Sequence, residues 1–243
     1  MLSLLLTLQS PPADPPHSYD GLARQLAVAI PRIEASVTVD GVLDEPVWLS
    51  AARLVGFSQY RPVDGRPATD STQVLVWYAP DAVYFGIRAY EAHGNVVRAT
   101  LADRDKIDAD DRIQILLDTY DDHRRALLFA VNPLGVQEDG VWSDGFEASA
   151  GGPQAGGRFD AIIDLNPDYV YESRGRLTDF GYEVEVRIPF KTLRFPSAPR
   201  QAWLTSRKTS IKSGGILCRF AGFAPNSSSN KCCSRLFGSR RQL

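Results

Sequence analysis

Residues 181–190 read GYEVEVRIPF, in which Tyr182, Val184, Val186 and Ile188 alternate with Glu183, Glu185 and Arg187. A period of two is that of a β-strand with one apolar and one polar face. The same period returns along the chain. In QVLVWYA, Val74, Val76 and Tyr78 share a face. In AVYFGIRAYE, Val83, Phe85, Ile87 and Ala89 point one way, and Tyr84, Arg88 and Tyr90 the other. RIQILLD offers Ile113, Ile115 and Leu117, and ALLFAVN offers Leu127, Phe129 and Val131. The connections are short and polar, such as Ala79-Pro80-Asp81 and Asp121-Asp122-His123, and no long helical pattern separates the strands. Such strands build antiparallel sheets rather than parallel βαβ units. Each one-sided sheet needs a second to cover its apolar face, so the fold class is an all-β antiparallel sandwich.

One break in the period comes early. SVTVDG (36–41) reads as a short strand with Val37 and Val39 on one face, ended by the turn Asp40-Gly41. LDEPVWLSAARL follows, with Asp44 as N-cap, Pro46 in the first turn, and Val47, Trp48, Ala51 and Leu54 on one face. This predicts one short N-terminal helix. Ala148–Gly157 (ASAGGPQAGG) lacks the flanking strand and helix of a nucleotide motif and reads as a loop.

Charge divides the chain. Residues 204–243 hold eight of the 27 bases, none of the 29 acids, and all three cysteines (Cys218, Cys232, Cys233). The preceding body is acidic, free of cysteine and large enough to bury a core without disulfides. A net charge of −2 gives no basic surface for nucleic acid. The opening MLSLLLTLQS is apolar without a basic start, and Pro-rich PPADPP follows it. It reads as the remnant of a secretory leader, the alternative being a frayed terminus. The expected organisation is therefore leader remnant and linker over 1–30, sandwich over 31–203, and a tail over 204–243. That tail has neither helical nor strand period and reads as an out-of-frame end or a disordered basic segment.

The run VDGVLDEPVWLSAARL, then VLVWYAPDAVYFGIRAYE, DADDRIQILLDTYDDHR and GYEVEVRIPFKTLRF, resembles in order the family 9 carbohydrate-binding modules. The likeness spans about residues 33–203. It is nearest to the variant at the N-terminus of bacterial outer-membrane β-barrel proteins. The resemblance implies an immunoglobulin-like or jelly-roll sandwich that binds a polysaccharide or oligosaccharide without turnover. It also implies a secreted, periplasmic or outer-membrane setting linked to carbohydrate catabolism. The alternatives it leaves are a docking domain for a β-barrel that has lost its sugar site, or an accessory part of a glycoside hydrolase.

Family members hold sugar between two aromatic rings, helped by polar residues on adjacent strands. The first ring falls near Asp108 and the second within 204–243. The polar positions fall on Gln114, where an acid is usual, and Ala130, where Arg is usual. Sugar binding needs flat apolar faces and planar hydrogen-bonding groups. The candidates of that kind are Trp142, Trp77, Tyr84, Arg88 and Gln114, with Tyr90 as a further aromatic. Trp142 lies in GVWSDGF, read as a loop. Trp77 has a competing reading as core beneath the short helix, and Arg88 as a cross-strand partner of an acid. Asp105, Asp108, Asp110 and Asp111 form an acidic run that could bind a structural calcium, as family members often do, or be a solvated loop.

No catalytic residue is assigned. Glu183 and Glu185 sit two apart on one strand and read as an outward, solvated pair rather than a glycosidase couple. His17, His93 and His123 fall in no zinc spacing, and the cysteines form no CxxC.

Overall fold

The computed structural model describes residues 18–25, 28–58, 66–94, 96–119, 124–143 and 162–194, with Trp203–Ser206 and Gly215–Ala221 described by their backbone alone. The leader, the 121–123 connection, the glycine-rich 148–157 stretch, Cys232 and Cys233 lie outside these residues.

Among the described residues, twelve strands form two sheets. The first runs β1 (Ser18–Asp20), β2 (Ala52–Val55), β3 (Thr72–Tyr78), β4 (Ala82–Tyr90), β10 (Gly181–Pro189) and β9 (Glu172–Thr178). The second runs β11 (Trp203–Ser206), β12 (Gly215–Ala221), β5 (Arg112–Asp118), β6 (Arg125–Val131), β7 (Gln137–Ser143) and β8 (Ile162–Asp164). All pairings are antiparallel except β1 with β2 and β12 with β5. The 18–30 stretch joins the domain through β1 and through Val28 and Ile30, which enter the core. The stretch after 203, read as having no period, contributes most of β11 and all of β12.

The core between the sheets is the one the alternation predicts. Val74, Val76, Val83, Phe85, Ile87, Tyr182, Val184, Val186 and Ile188 of the first sheet face Ile113, Ile115, Leu117, Phe129 and Val131 of the second. Most are fully buried, each large side chain contributing about 1.5–3 kcal/mol.

The outer face of the first sheet departs from expectation because it is covered. Residues 31–39 alternate between half-buried and exposed but join no strand apart from a single bridge from Arg32 to Tyr78. The expected strand at 36–41 is instead an extended cover, with Val37 packed on a second apolar cluster. The expected helix is a single 3₁₀ turn, Pro46–Ser50. Glu45 rather than Asp44 precedes it, and no side chain caps it. Five residues with proline at the start fit one tight turn and no more. Trp48 from this turn and Leu43 lie over Gly86 at the middle of β4. A Cβ there would come within 2.7 Å of Leu43 Cδ2 and 3.0 Å of Trp48 Cζ3. Glycine at mid-strand is thus the seat of the cover.

Glu183 and Glu185 therefore do not face solvent as predicted. They are buried, because the turn at Asp40-Gly41 and the chain after it lie across their face of β10. Glu185 Oε2 accepts the backbone N–H groups of Asp40 (3.0 Å) and Gly41 (3.1 Å). Glu183 accepts Arg88 Nε at 2.7 Å and Arg176 Nη2 at 2.6 Å.

Candidate functional site

Register and alternation decide which side chains share a face. Opposite each other on the first sheet, Trp77 and Tyr84 are cross-strand partners on the covered side. Their rings stack at 4.0 Å and 1°, and Trp48 meets Trp77 edge-on at 6.0 Å. Both are buried, and Tyr84 Oη accepts Arg187 Nε at 3.1 Å. They form a packed aromatic layer with no face open to a ligand, which corrects their reading as sugar platforms. Arg88 lies opposite Glu183 across β4 and β10 and is held by it and by the Leu43 carbonyl at 3.0 Å. That is the cross-strand pairing weighed against sugar contact. Tyr90 packs on Phe180 at 5.1 Å.

The other two candidates share the outer face of the second sheet. Ile113, Ile115 and Leu117 point into the core, so Arg112, Gln114 and Leu116 point away from it. Pairing places Gln114 beside Ala130 and Ala130 beside Glu138, Leu116 beside Leu128 and Leu128 beside Gly140, and Ala126 beside Trp142 and Trp142 beside Ile163. Leu116, Leu128, Ala126 and Ala130 cluster with Ile107, and Trp142 packs half-buried against them. Ile163 is exposed. Trp142 thus sits on β7 and not on a loop as predicted. The strand had been hidden by Gly140, whose Cα hydrogens face the Asp164 carbonyl so closely that a Cβ would lie 2.3 Å from it.

Four residues along the strands and two strands across separate Trp142 from Gln114, about 16 Å between Cα atoms. They cannot grip one sugar ring between them. The strip of apolar side chains between them is buried, with Leu116 and Leu128 1% and Ala126 3% exposed.

The loop over residues 97–111 covers the Gln114 end of this strip. Ile107 plugs the apolar cluster, and Asp110 ties the loop down. Its carboxylate accepts Thr100 N at 3.0 Å and Asn132 Nδ2 at 2.8 Å. Burial opposes the charge on Asp110, but these bonds outweigh it and hold its carboxyl below the usual range. Arg112 reaches from β5 to Asp108 at 2.7 Å and to Glu138 at 3.2 Å. Glu138 is buried, its Oε1 has no hydrogen-bond partner among the described residues, and burial raises its carboxyl above the usual range despite Arg112. Glu138 and Arg112 went unremarked in the sequence. The signal was present as the turn Asn132-Pro133-Leu134-Gly135, which forces a strand after it to pair with β6.

The four aspartates named for calcium do not converge. Asp108 pairs with Arg112, Asp110 with Thr100 and Asn132, and Asp111 with the Arg98 N–H at 3.0 Å. Among the described residues, Asp105 alone of the four lies in an acidic group, with Asp139 and Asp168. Arg104 already supplies that group's positive charge. Its Nη2 hydrogen-bonds Asp139 and the Tyr169 carbonyl, its Nη1 donates to Gln137 Oε1, and its Nε lies 3.8 Å from Asp168. A guanidinium among the carboxylates fits this donor set better than a resident calcium, which would have to compete with it.

No protein-family model matches the chain, and no curated protein does. Among solved structures, a family 9 carbohydrate-binding module from Caldicellulosiruptor kristjanssonii in complex with cellotriose aligns over 82% of this chain and 97% of its own. The identity is 13% and the TM-score 0.43. A family 9 module from the same organism in complex with glucose aligns over 82% of this chain and 100% of its own, at 13% identity and TM-score 0.42.

Proposed function

We propose that this chain is a non-catalytic carbohydrate-binding sandwich that acts outside the cytoplasm, beside polysaccharide being degraded. The observation that supports it is Trp142, an indole half-buried on the outer face of the second sheet next to the exposed Ile163. A flat apolar surface of this kind suits the C–H faces of a pyranose ring. The order of motifs from Val39 to Phe195 supports the same reading. Turnover is not part of it: Glu183 is held by two arginines and Glu185 by two backbone N–H groups, leaving neither to act as acid or nucleophile.

A second reading is favoured by the fate of the other candidates. Trp77, Tyr84 and Arg88 are consumed by the scaffold. On this reading the sandwich is a docking domain for an outer-membrane β-barrel and binds no sugar. A glycan array probed with the full chain separates the two. Retention on β- or α-glucans or on xylans, weakened by Trp142→Ala, supports the first. A silent array, together with association with membranes carrying the barrel, supports the second.

A further inference from the structure

The geometry points to a divalent transition-metal site formed by Asp70, Glu91 and His93, at the end of the first sheet and away from the strip that carries Trp142. Neither sugar binding nor the acidic run after Thr100 involves these residues.

Antiparallel pairing builds the site. Thr72 of β3 lies opposite Ala89 of β4, and Tyr90 N donates to the Ser71 carbonyl at 3.0 Å. The residue entering β3 and the residues leaving β4 therefore meet at one sheet end. Glu91 N also donates to the Phe180 carbonyl at 2.8 Å, fixing that end to the β9–β10 turn. Asp70 Oδ1 accepts Ala92 N at 3.2 Å and lies 2.6 Å from His93 Nδ1. His93 N donates to Glu91 Oε1 at 2.8 Å, which turns that carboxylate toward the same point. One donor atom from each of the three side chains lies within 4.8 Å of the others.

Asp70 forms a floor with only 10% of its side chain exposed, while the imidazole of His93 is 52% exposed. An ion can enter from solvent and keep waters in its remaining positions. Two carboxylates and a neutral imidazole offset a +2 charge. One nitrogen with carboxylate oxygens suits zinc, cobalt, nickel or manganese, whereas calcium and magnesium favour all-oxygen shells. The bound ion would fasten the start of β3 to the end of β4.

The test is titration of zinc into the full chain with its thiols alkylated, so that cysteine plays no part, followed by calorimetry. One site is expected, at least ten-fold weaker in His93→Gln and in Asp70→Asn, and not displaced by millimolar calcium. Gln at 93 keeps a hydrogen-bonding group near Asp70, and melting without metal checks that both variants fold. Cobalt provides a second readout, a visible d–d band in the native chain that His93→Gln lacks. Zinc and cobalt binding unchanged in a folded His93→Gln protein would overturn the site, as would calcium binding there with no zinc binding at all. Glycan retention reads out separately, so failure of this site leaves the sugar proposal standing.

Discussion

Glu185 accepts the backbone N–H of Gly41 through Oε2 at 3.1 Å, joining the centre of β10 to a turn that precedes it by 144 residues. Gly41 adopts φ +88°, a left-handed conformation that favours glycine, and a Cβ there would lie 3.4 Å from Arg174 of β9. The carboxylate is fully buried and its Oε1 has no hydrogen-bond partner among the described residues. Burial, with the charges of Glu45 and Asp40 adding to it, overcomes the two backbone bonds and lifts its pKa from 4.5 to about 7.

Between those two values the folded protein holds a proton that the unfolded chain has released. Stability contributed by this group is therefore complete below about pH 4.5, falls as pH rises, and is gone above about pH 7. Glutamine keeps a carbonyl for Gly41 and carries no charge. Glu185→Gln should be more stable than the native protein at about pH 8, by at most about 3 kcal/mol, and equal to it at about pH 4. Denaturant midpoints at the two pH values check this. A constant difference across pH would contradict it.

Arg104 should matter through Asp139. Asp139 is fully buried, and burial raises its carboxyl even though Tyr169 N and Arg104 pull it down. Removing the guanidinium leaves a buried carboxylate without its cation, a change that costs about 3 kcal/mol or more in fully buried pairs. Arg104 is about a third exposed, so Arg104→Met should cost somewhat less, about 2 kcal/mol at neutral pH. The deficit should shrink on acidification, because a protonated Asp139 no longer needs the cation. Urea unfolding at two pH values measures it, and equal midpoints for variant and native protein would refute the pairing.

Trp77 should behave as scaffold. It fills the layer between Trp48 and Tyr84, and truncating such a residue leaves a cavity. Trp77→Ala should lose about 3–5 kcal/mol, seen as a lower melting temperature. The fraction that remains folded should bind glycan as the native chain does. Loss of glycan affinity without loss of stability would return Trp77 to the list of ligand contacts.

What the sequence revealed follows the physics of each residue. Val74, Phe85, Ile115, Phe129 and Val184 were legible because a period of two admits one inward face. The covered outer face was not. Glu183 and Glu185 keep the polar half of that period, and only the chain folding back at Asp40-Gly41 turns polar into buried. No local pattern encodes an atom that arrives from 144 residues away. Strand β7 was missed because QEDGVWS puts buried acids and a glycine where alternation expects apolar side chains. Glu138 and Asp139 are tolerated there because Arg112 and Arg104 reach them from other elements. The acidic run from Asp103 to Asp111 looked like one ligand set, yet its carboxylates serve separate partners across a folded loop, as Asp108 and Asp110 show.

A sugar surface at Trp142 and the exposed Ile163, on the outer face of β7 and β8, is what the proposed function rests on. Affinity electrophoresis of the native chain and Trp142→Ala through gels containing the glycan selected on the array tests it most directly. Retardation of the native chain is expected, with a loss of at least ten-fold in affinity for the folded fraction of Trp142→Ala, whose melting temperature falls because the indole packs on the cluster of Leu116 and Leu128. Equal retardation of the two proteins, or free migration of the native chain through every polysaccharide, would contradict it.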